Sequence, residues 1–150
     1  MYLREVIVSD GLVIRELGEV GLEQAYPVIH QLRTHLNFEE YVTVVKEMRK
    51  RGYQIFCLFE GEKVVSYAGF VQTVNMYYGN HIWVYDLVTD EGARGKGYGQ
   101  ILLSHLESYG KSKGSERVAL SSRFHMKAAH KFYEEGCDYN KIGYVFLKDL

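Results

Sequence analysis

The fold is decided by the stretch Asp86-Leu87-Val88-Thr89-Asp90-Glu91-Gly92-Ala93-Arg94-Gly95-Lys96-Gly97-Tyr98-Gly99. An apolar run of strand type ends at Val88 or Thr89, a glycine-dense loop follows, and a helical pattern begins at Tyr98. Glycine lets backbone N–H groups approach an anion closely, and the first turn of a helix has N–H groups without partners inside the helix. The helix dipole adds positive charge at the same end. The sequence therefore predicts a phosphate-binding loop, to which Arg94 and Lys96 add full charges.

Two common phosphate-binding patterns do not fit this loop. The Walker pattern needs Ser or Thr directly after its lysine, but Gly97 follows Lys96. The dinucleotide pattern needs G-x-G-x-x-G, whereas the chain from Gly95 reads G-K-G-Y-G-Q, which places the third glycine one position early. A plain turn between a strand and a helix is the simpler alternative. Glycines at alternate positions beside two cations favour an anion site over that turn.

A third pattern fits the loop. Residues 94–99 read R-x-x-G-x-G and resemble the Q/R-x-x-G-x-G/A loop of the GNAT N-acetyltransferase superfamily, which cradles the pyrophosphate of acetyl-CoA. A second segment resembles that family's A-x-x-F-Y-E signature, with Ala129 first, Tyr133 in the tyrosine position and Gly136 at the end. Many members carry Asn three residues before that alanine, where it bonds the pantetheine arm. This chain has Met126 there, and Arg123 or Ser122 would serve instead.

The resemblance implies both a fold and an activity. The fold is α+β, a single domain over residues 1–150 with a mixed, mostly antiparallel β-sheet and helices on both faces. The activity is direct transfer of an acetyl group from acetyl-CoA, the co-substrate, to an amine of a small molecule or peptide. A regulatory module that binds acetyl-CoA without transferring the acetyl group is the alternative.

The resemblance also implies roles for particular residues. The segment Leu87, Val88 and Thr89 would leave backbone groups free for the pantetheine arm, and an N–H group there would stabilise the tetrahedral oxyanion. Tyr133 would act as the general acid that protonates the leaving thiolate. The cofactor-binding loop would consist of Arg94, Gly95, Lys96, Gly97, Tyr98 and Gly99.

The attacking amine must be neutral, although alkylamines have a pKa near ~10, so a general base is needed. Asp86 is our first candidate for this base. A structural carboxylate that bonds a neighbouring loop is an equal alternative for it. Asp90 and Glu91 are further candidates, which we expect to be solvated. In the family the first two helices line the acceptor pocket, for which the candidates are Arg33, His35, Tyr41, Trp83 and Tyr85.

The remaining elements follow from hydrophobic periodicity and turn residues. The predicted helices span residues 22–33, 38–51, 98–113 and a short segment ending at Gly136. Pro27 would kink or restart the first of them. The predicted strands are 2–8, 12–17, 53–60, 63–74, 81–89, 117–122, 138–142 and 144–149. The helical crossover before strand 117–122 predicts that it runs parallel to strand 81–89.

Composition limits the classes of partner. An apolar content of 47% and a net charge of −1 are ordinary for a soluble globular protein and provide no basic field for nucleic acid. We find no membrane segment, signal peptide or metal-binding pattern, and we expect a cytoplasmic protein. Cys57 and Cys137 are predicted to be buried free thiols. The acceptor is thus a small-molecule or peptide amine, and we also consider a homodimer.

Overall fold

A six-stranded sheet organises the chain in the computed structural model, which describes residues 3–150. Neighbours in the sheet follow chain order, and the first four pairs are antiparallel. β6 is reached from β5 through a helix, which is the type of connection that parallel neighbours require. The predicted mixed, mostly antiparallel α+β fold is confirmed. The strands are β1 (Arg4–Ser9), β2 (Leu12–Glu16), β3 (Gln54–Glu60), β4 (Lys63–Asn75), β5 (Gly79–Thr89) and β6 (Arg117–Leu120).

The chain divides into two compact units after Ala119, so the single domain stays a prediction. The first unit contains α1 (Leu22–Leu32), α2 (Phe38–Arg49) and α3 (Tyr98–Ser112). Asn37 caps α2, since its side chain accepts a hydrogen bond from the Glu40 N–H at 2.9 Å. Pro27 lies inside α1, yet the helix continues through it. The N-terminal hairpin is present from Arg4 onward, and Tyr2 lies outside the described residues.

The helices of the first unit cover opposite faces of the sheet. Apolar residues of α1 and α2, such as Ala25 and Val45, form one core cluster with Ile55 and Tyr67 of the sheet. On the opposite face, Tyr109 of α3 packs edge-on against Phe56, with ring centroids 5.0 Å apart. Alternate residues of β3 and β4 therefore serve different cores, as the pleat of a strand requires.

A β-bulge interrupts the pairing of β4 with β5. Gly69 pairs with Asp86 and Phe70 pairs with Val84, so Tyr85 is the extra residue. Tyr85 and Asp86 thus stand together opposite Gly69, on the face that α1 and α2 cover. A Cβ atom on Gly69 would overlap the hydroxyl and ring of Tyr53. The missing side chain therefore lets Tyr53 reach across β4 to the bulge.

We expect Gly69→Ala to lower the free energy of unfolding by about 1–3 kcal/mol, because the new methyl group overpacks a closed core site. The shift in the urea midpoint measures this loss. Gly18→Ala is the matched control, since its Cβ atom would meet Leu3 only at an ordinary 3.6 Å. Equal stability of the two variants would show that the contact between Tyr53 and Gly69 does not constrain the core.

The second unit differs from the prediction. It contains α4 (Lys127–Lys131) followed by a π-helical turn, Phe132–Gly136, in place of one short helix. The strands predicted at 138–142 and 144–149 are wrong, because residues 138–150 form no strand in the described structure. A strand requires a neighbouring backbone, and apolar alternation alone does not supply one. Apolar residues of this segment, such as Phe146, are exposed.

Candidate functional site

The loop between β5 and α3 is shaped for an anion. A short 3-10 turn, Glu91–Ala93, follows β5, and Gly97 is the N-cap residue of α3. Gly95 and Gly97 have φ angles of +81° and +80°, a left-handed conformation that favours glycine. No described side chain caps α3, and an added Cβ atom on either glycine would meet no described atom within 4 Å. The first N–H groups of the helix are therefore open to a ligand.

The two cations of this loop are both exposed. The Arg94 Nε group donates to the Thr89 carbonyl at 3.3 Å, which directs the guanidinium back along the loop. The Lys96 ammonium lies 5.9 Å from the centre of the Tyr98 ring. Tyr98 itself is buried, and its hydroxyl donates a hydrogen bond to the Glu60 carboxylate at the end of β3. The start of α3 is thereby fixed to the sheet, while both charges remain available to an anion.

Gln31 of α1 holds the beginning of the same loop. Its side-chain amide donates to Asp90 Oδ1 at 2.7 Å and accepts from the Glu91 N–H at 3.0 Å. The other oxygen of Asp90 lies 3.2 Å from the Lys63 ammonium. The hydrogen bond from Gln31 is the main cause that lowers the pKa of Asp90, and Lys63 adds to it. Asp90 is therefore a partnered carboxylate, and the expectation that it is solvated is wrong, because α1 and β4 both approach it.

The last residues of β5 extend beyond β6. The Glu116 N–H donates to the Asn80 carbonyl at 2.7 Å, so β6 starts beside the beginning of β5. β6 is four residues long, and at roughly 3.3 Å per residue it ends about level with Val84. Leu87, Val88 and Thr89 pair with β4 on their other side. β6 as described thus does not cover the edge of β5 from residue 87 to residue 89.

Asp86 lies at the centre of a buried polar network beside this edge, with only 7% of its surface exposed. Its Oδ1 atom accepts from the Arg33 Nε group at 2.8 Å, and its Oδ2 atom accepts from the Tyr53 hydroxyl at 2.6 Å. Arg33 also donates to the Tyr85 carbonyl at 2.8 Å. One arginine therefore holds both residues of the bulge. A carboxylate has about four acceptor sites, so Asp86 retains lone pairs for a further donor.

Three tyrosine hydroxyls extend the network into the core. The Tyr67 hydroxyl lies 3.3 Å from that of Tyr53 and 3.1 Å from that of Tyr41. Burial raises the pKa of each of these three hydroxyls above its usual value. All three therefore keep their protons at neutral pH, and Tyr53 can act as a permanent hydrogen-bond donor to Asp86.

A half-open cleft of 810 Å³ lies beside this network and is lined by residues of α2, β4 and β5. We refer to it as the α2 cleft. Tyr53 and Tyr85 form the end nearest Asp86, and His81 lies further along β5. Its lining residues are Thr43, Val44, Glu47, Met48, Arg51, Tyr53, Val71, Thr73, Val74, Asn75, His81, Trp83 and Tyr85.

The five predicted acceptor-pocket residues have different surroundings. Trp83 and Tyr85 line the α2 cleft. Arg33 is paired with Asp86, Tyr41 is a buried core residue, and His35 is exposed on the loop between α1 and α2. The structure therefore brings two of the five together in one cavity.

Comparisons with known proteins show the family to which this chain belongs. Residues 20–139 match the sequence model of the acetyltransferase (GNAT) family. The chain belongs to this family. It is 33% identical over 128 residues to an uncharacterized N-acetyltransferase of Bacillus subtilis, YhdJ, covering 85% of this chain and 90% of the relative. The prediction of an acyltransferase is confirmed at the level of the GNAT family.

Solved structures share the fold. A putative acetyltransferase from Agrobacterium tumefaciens superposes with a TM-score of 0.76 and 26% identity, covering 90% of this chain and 99% of that one. The aminoglycoside N-acetyltransferase AAC(6')-Iy, solved in complex with CoA, has a TM-score of 0.81. Its identity is 13%, with 92% and 94% of the two chains covered. At that identity the likeness is one of fold alone.

The second GNAT motif lies in the second unit. Tyr133 lies in the π-helical turn, and its ring packs against Phe132 and Tyr139. Its backbone carbonyl accepts a hydrogen bond from the Tyr139 N–H, with 2.8 Å between nitrogen and oxygen. Partial burial raises the pKa of its hydroxyl to about 12, and Cys137 contributes. The Arg123 carbonyl accepts the Met126 N–H at 3.0 Å. The role of Tyr133 as general acid stays a prediction.

Several features of the candidate site in this GNAT protein were not predicted from the sequence. Gln31 and Tyr53 donate hydrogen bonds to Asp90 and Asp86 respectively, which lie far from them along the chain. Gly69 inside a strand was the one available signal, since such a glycine often marks a close approach. Neither cysteine is in a disulfide; Cys57 is buried as predicted, whereas Cys137 is half-buried. In residues 3–150, the helices are too short or too polar to cross a membrane.

Proposed function

We propose that this chain transfers an acetyl group from acetyl-CoA to an amine of a small molecule or peptide. The observation that carries the proposal is the open N-terminus of α3, with two left-handed glycines and two exposed cations directly after β5. This arrangement suits a pyrophosphate, because backbone N–H groups and full charges converge where no described side chain intrudes. Acetyl-CoA would supply an activated thioester carbonyl.

The residues of the site would divide the work as follows. Residues 94–99 hold the pyrophosphate, and the edge of β5 from Leu87 to Thr89, which lies beyond the end of β6, binds the pantetheine arm. A backbone N–H group of the same segment stabilises the oxyanion. Asp86 accepts a proton from the amine, directly or through water, with a lone pair that Arg33 and Tyr53 leave free. Tyr133 donates a proton to the departing thiolate.

Acetyl-CoA is expected to stabilise the protein against unfolding. A micromolar dissociation constant corresponds to about −8 kcal/mol, and at ~100 times that concentration the gain is ~2.7 kcal/mol. Thermal unfolding with and without acetyl-CoA measures this gain, with ATP and NAD as controls. Release of free thiol on addition of an amine then separates an enzyme from a module that only binds. Unchanged thermal stability with acetyl-CoA would contradict the proposal.

Two further expectations remain predictions beside this proposal. We expect a cytoplasmic location, and a homodimer is still considered. The near-zero net charge of −1 supports an amine acceptor rather than a nucleic acid.

A further inference from the structure

The α2 cleft is elongated along β5. Tyr85, Trp83 and His81 follow one another on the same face of the strand, and all three line the cleft. At roughly 3.3 Å per residue, the distance from Tyr85 to His81 is about 13 Å. The Tyr85 end adjoins Asp86, because Tyr53 lines the cleft and donates to Asp86. A molecule lying in the cleft would therefore present one end to the Asp86 network and extend its body away from it.

The middle of the cleft is apolar. Half-buried Trp83 pairs with Val71 of β4, and Met48 of α2 faces the same cavity. Trp83 is held from behind by the core cluster of α1 and α2, which makes its ring a firm surface. Binding of an aromatic or aliphatic group in this part of the cleft is favourable because it buries apolar surface, whereas a polyol has little apolar surface to bury.

The charges of the cleft are few and nearly balanced. Among its lining residues in the described chain, Glu47 is the one carboxylate, and Arg51 is the one arginine or lysine. Glu47 is already paired with Lys50 at 3.0 Å. A ligand with several ammonium groups would lose hydration here without finding a carboxylate for each of them.

We propose that the α2 cleft binds the acceptor, and that the acceptor is an elongated monoamine with an apolar body, its amine at the Tyr85 end. This inference rests on the proposed function and narrows it. Trp83 and Tyr53 contact the body and the amine end respectively. Polycationic aminosugars are the class that the cleft disfavours.

The chain provides its own reporter for this proposal. Trp83 is the sole tryptophan of the sequence, so intrinsic tryptophan fluorescence reports on the cleft alone. The wild-type protein is titrated with 4-phenylbutylamine, with ethylamine, which lacks the body, and with neamine, an aminosugar that carries several amines. We expect 4-phenylbutylamine to change the emission with saturation, and to bind at least about tenfold more tightly than the other two.

Turnover provides a second measurement. Trp83→Leu should lower kcat/KM for 4-phenylbutylamine about tenfold, because it loses the aromatic surface. Tyr77→Leu is the matched control: this exposed aromatic residue lies in the turn between β4 and β5, outside the cleft lining. The stabilisation by acetyl-CoA should be the same in both variants.

The outcomes separate the two proposals. If acetyl-CoA does not stabilise the wild-type protein against thermal unfolding, the proposed function is contradicted, whatever the fluorescence shows. If acetyl-CoA stabilises the wild-type protein but neamine binds as tightly as 4-phenylbutylamine, the monoamine proposal is overturned. So does thiol release with an amine that leaves the Trp83 emission unchanged, since that amine would bind elsewhere.

Discussion

Replacing Gly97 with valine is expected to weaken acetyl-CoA binding by at least about 100-fold while leaving the protein folded. Gly97 has a φ angle of +80° and is the N-cap residue of α3. A Cβ atom there would stand in the open space in front of the first helical N–H groups, where we place the pyrophosphate. Displacing the phosphate by even an ångström loses hydrogen bonds that depend steeply on distance.

The control for this variant lies at the other end of the same helix. Gly114 has a φ angle of +85°, and its Cβ atom would also meet no described atom within 4 Å. Valine at either position should cost about 1–3 kcal/mol of backbone strain, which a domain with about 5–15 kcal/mol of stability tolerates. Calorimetric titration with acetyl-CoA then isolates the ligand effect. If Gly97→Val and Gly114→Val bind alike, the loop is only a turn.

Replacing Tyr133 with phenylalanine is expected to lower kcat about 100-fold and to change the acetyl-CoA affinity by less than ~1 kcal/mol. Phenylalanine keeps the ring and its packing on Phe132 but removes the proton that would reach the thiolate. Because burial raises the pKa of Tyr133 to about 12, the hydroxyl stays protonated throughout the usual assay range. The wild-type rate should therefore show no decline from loss of this proton below pH ~11.

The companion variant Asp86→Asn should behave differently as pH changes. If Asp86 is the base, its loss matters most near neutral pH, and the rate recovers partly as free amine accumulates toward pH ~10. Tyr133→Phe should show no recovery. Tyr144→Phe, an exposed tyrosine of the same unit, is the control for a general effect of losing a hydroxyl. Wild-type kcat in Tyr133→Phe would remove this residue from the mechanism, and a pH-independent deficit in Asp86→Asn would leave Asp86 a structural carboxylate.

The parts of the fold that were predictable depend on local patterns. The strand, loop and helix from residue 81 to residue 113 follow from hydrophobic periodicity and the glycines, and the observed bounds of α3 agree within one residue. The prediction failed at residues 138–150, where apolar alternation is present but a pairing backbone is required. Local sequence contains no information on whether such a partner is in place.

The candidate site was predictable to a smaller extent. The loop residues were identifiable because their chemistry is contiguous in the chain. Tyr53 and Gln31 were not, since their roles arise from contacts to Asp86 and Asp90 that only the packed structure creates. For Asp86, the sequence supports a catalytic role and a structural role equally. The structure adds Arg33 and Tyr53 as its hydrogen-bond partners, which the sequence did not predict.

The bulge at Tyr85 has a consequence for how the activity of this domain can diversify. In a strand that alternated regularly, with no bulge, Tyr85 and Asp86 would face opposite sides of the sheet, and Asp86 would point toward α3. With the bulge, the alternation of side chains shifts by one residue at Tyr85, and β5 consists of two segments with different roles. Residues 81–85 contribute to the wall of the α2 cleft, whereas residues 86–89 carry the Asp86 carboxylate and the edge that lies beyond the end of β6. On the proposed assignment of the α2 cleft to the acceptor, substitutions in the first segment would alter which amine is accepted without moving the second, so the substrate could change while the residues proposed for acetyl transfer are kept.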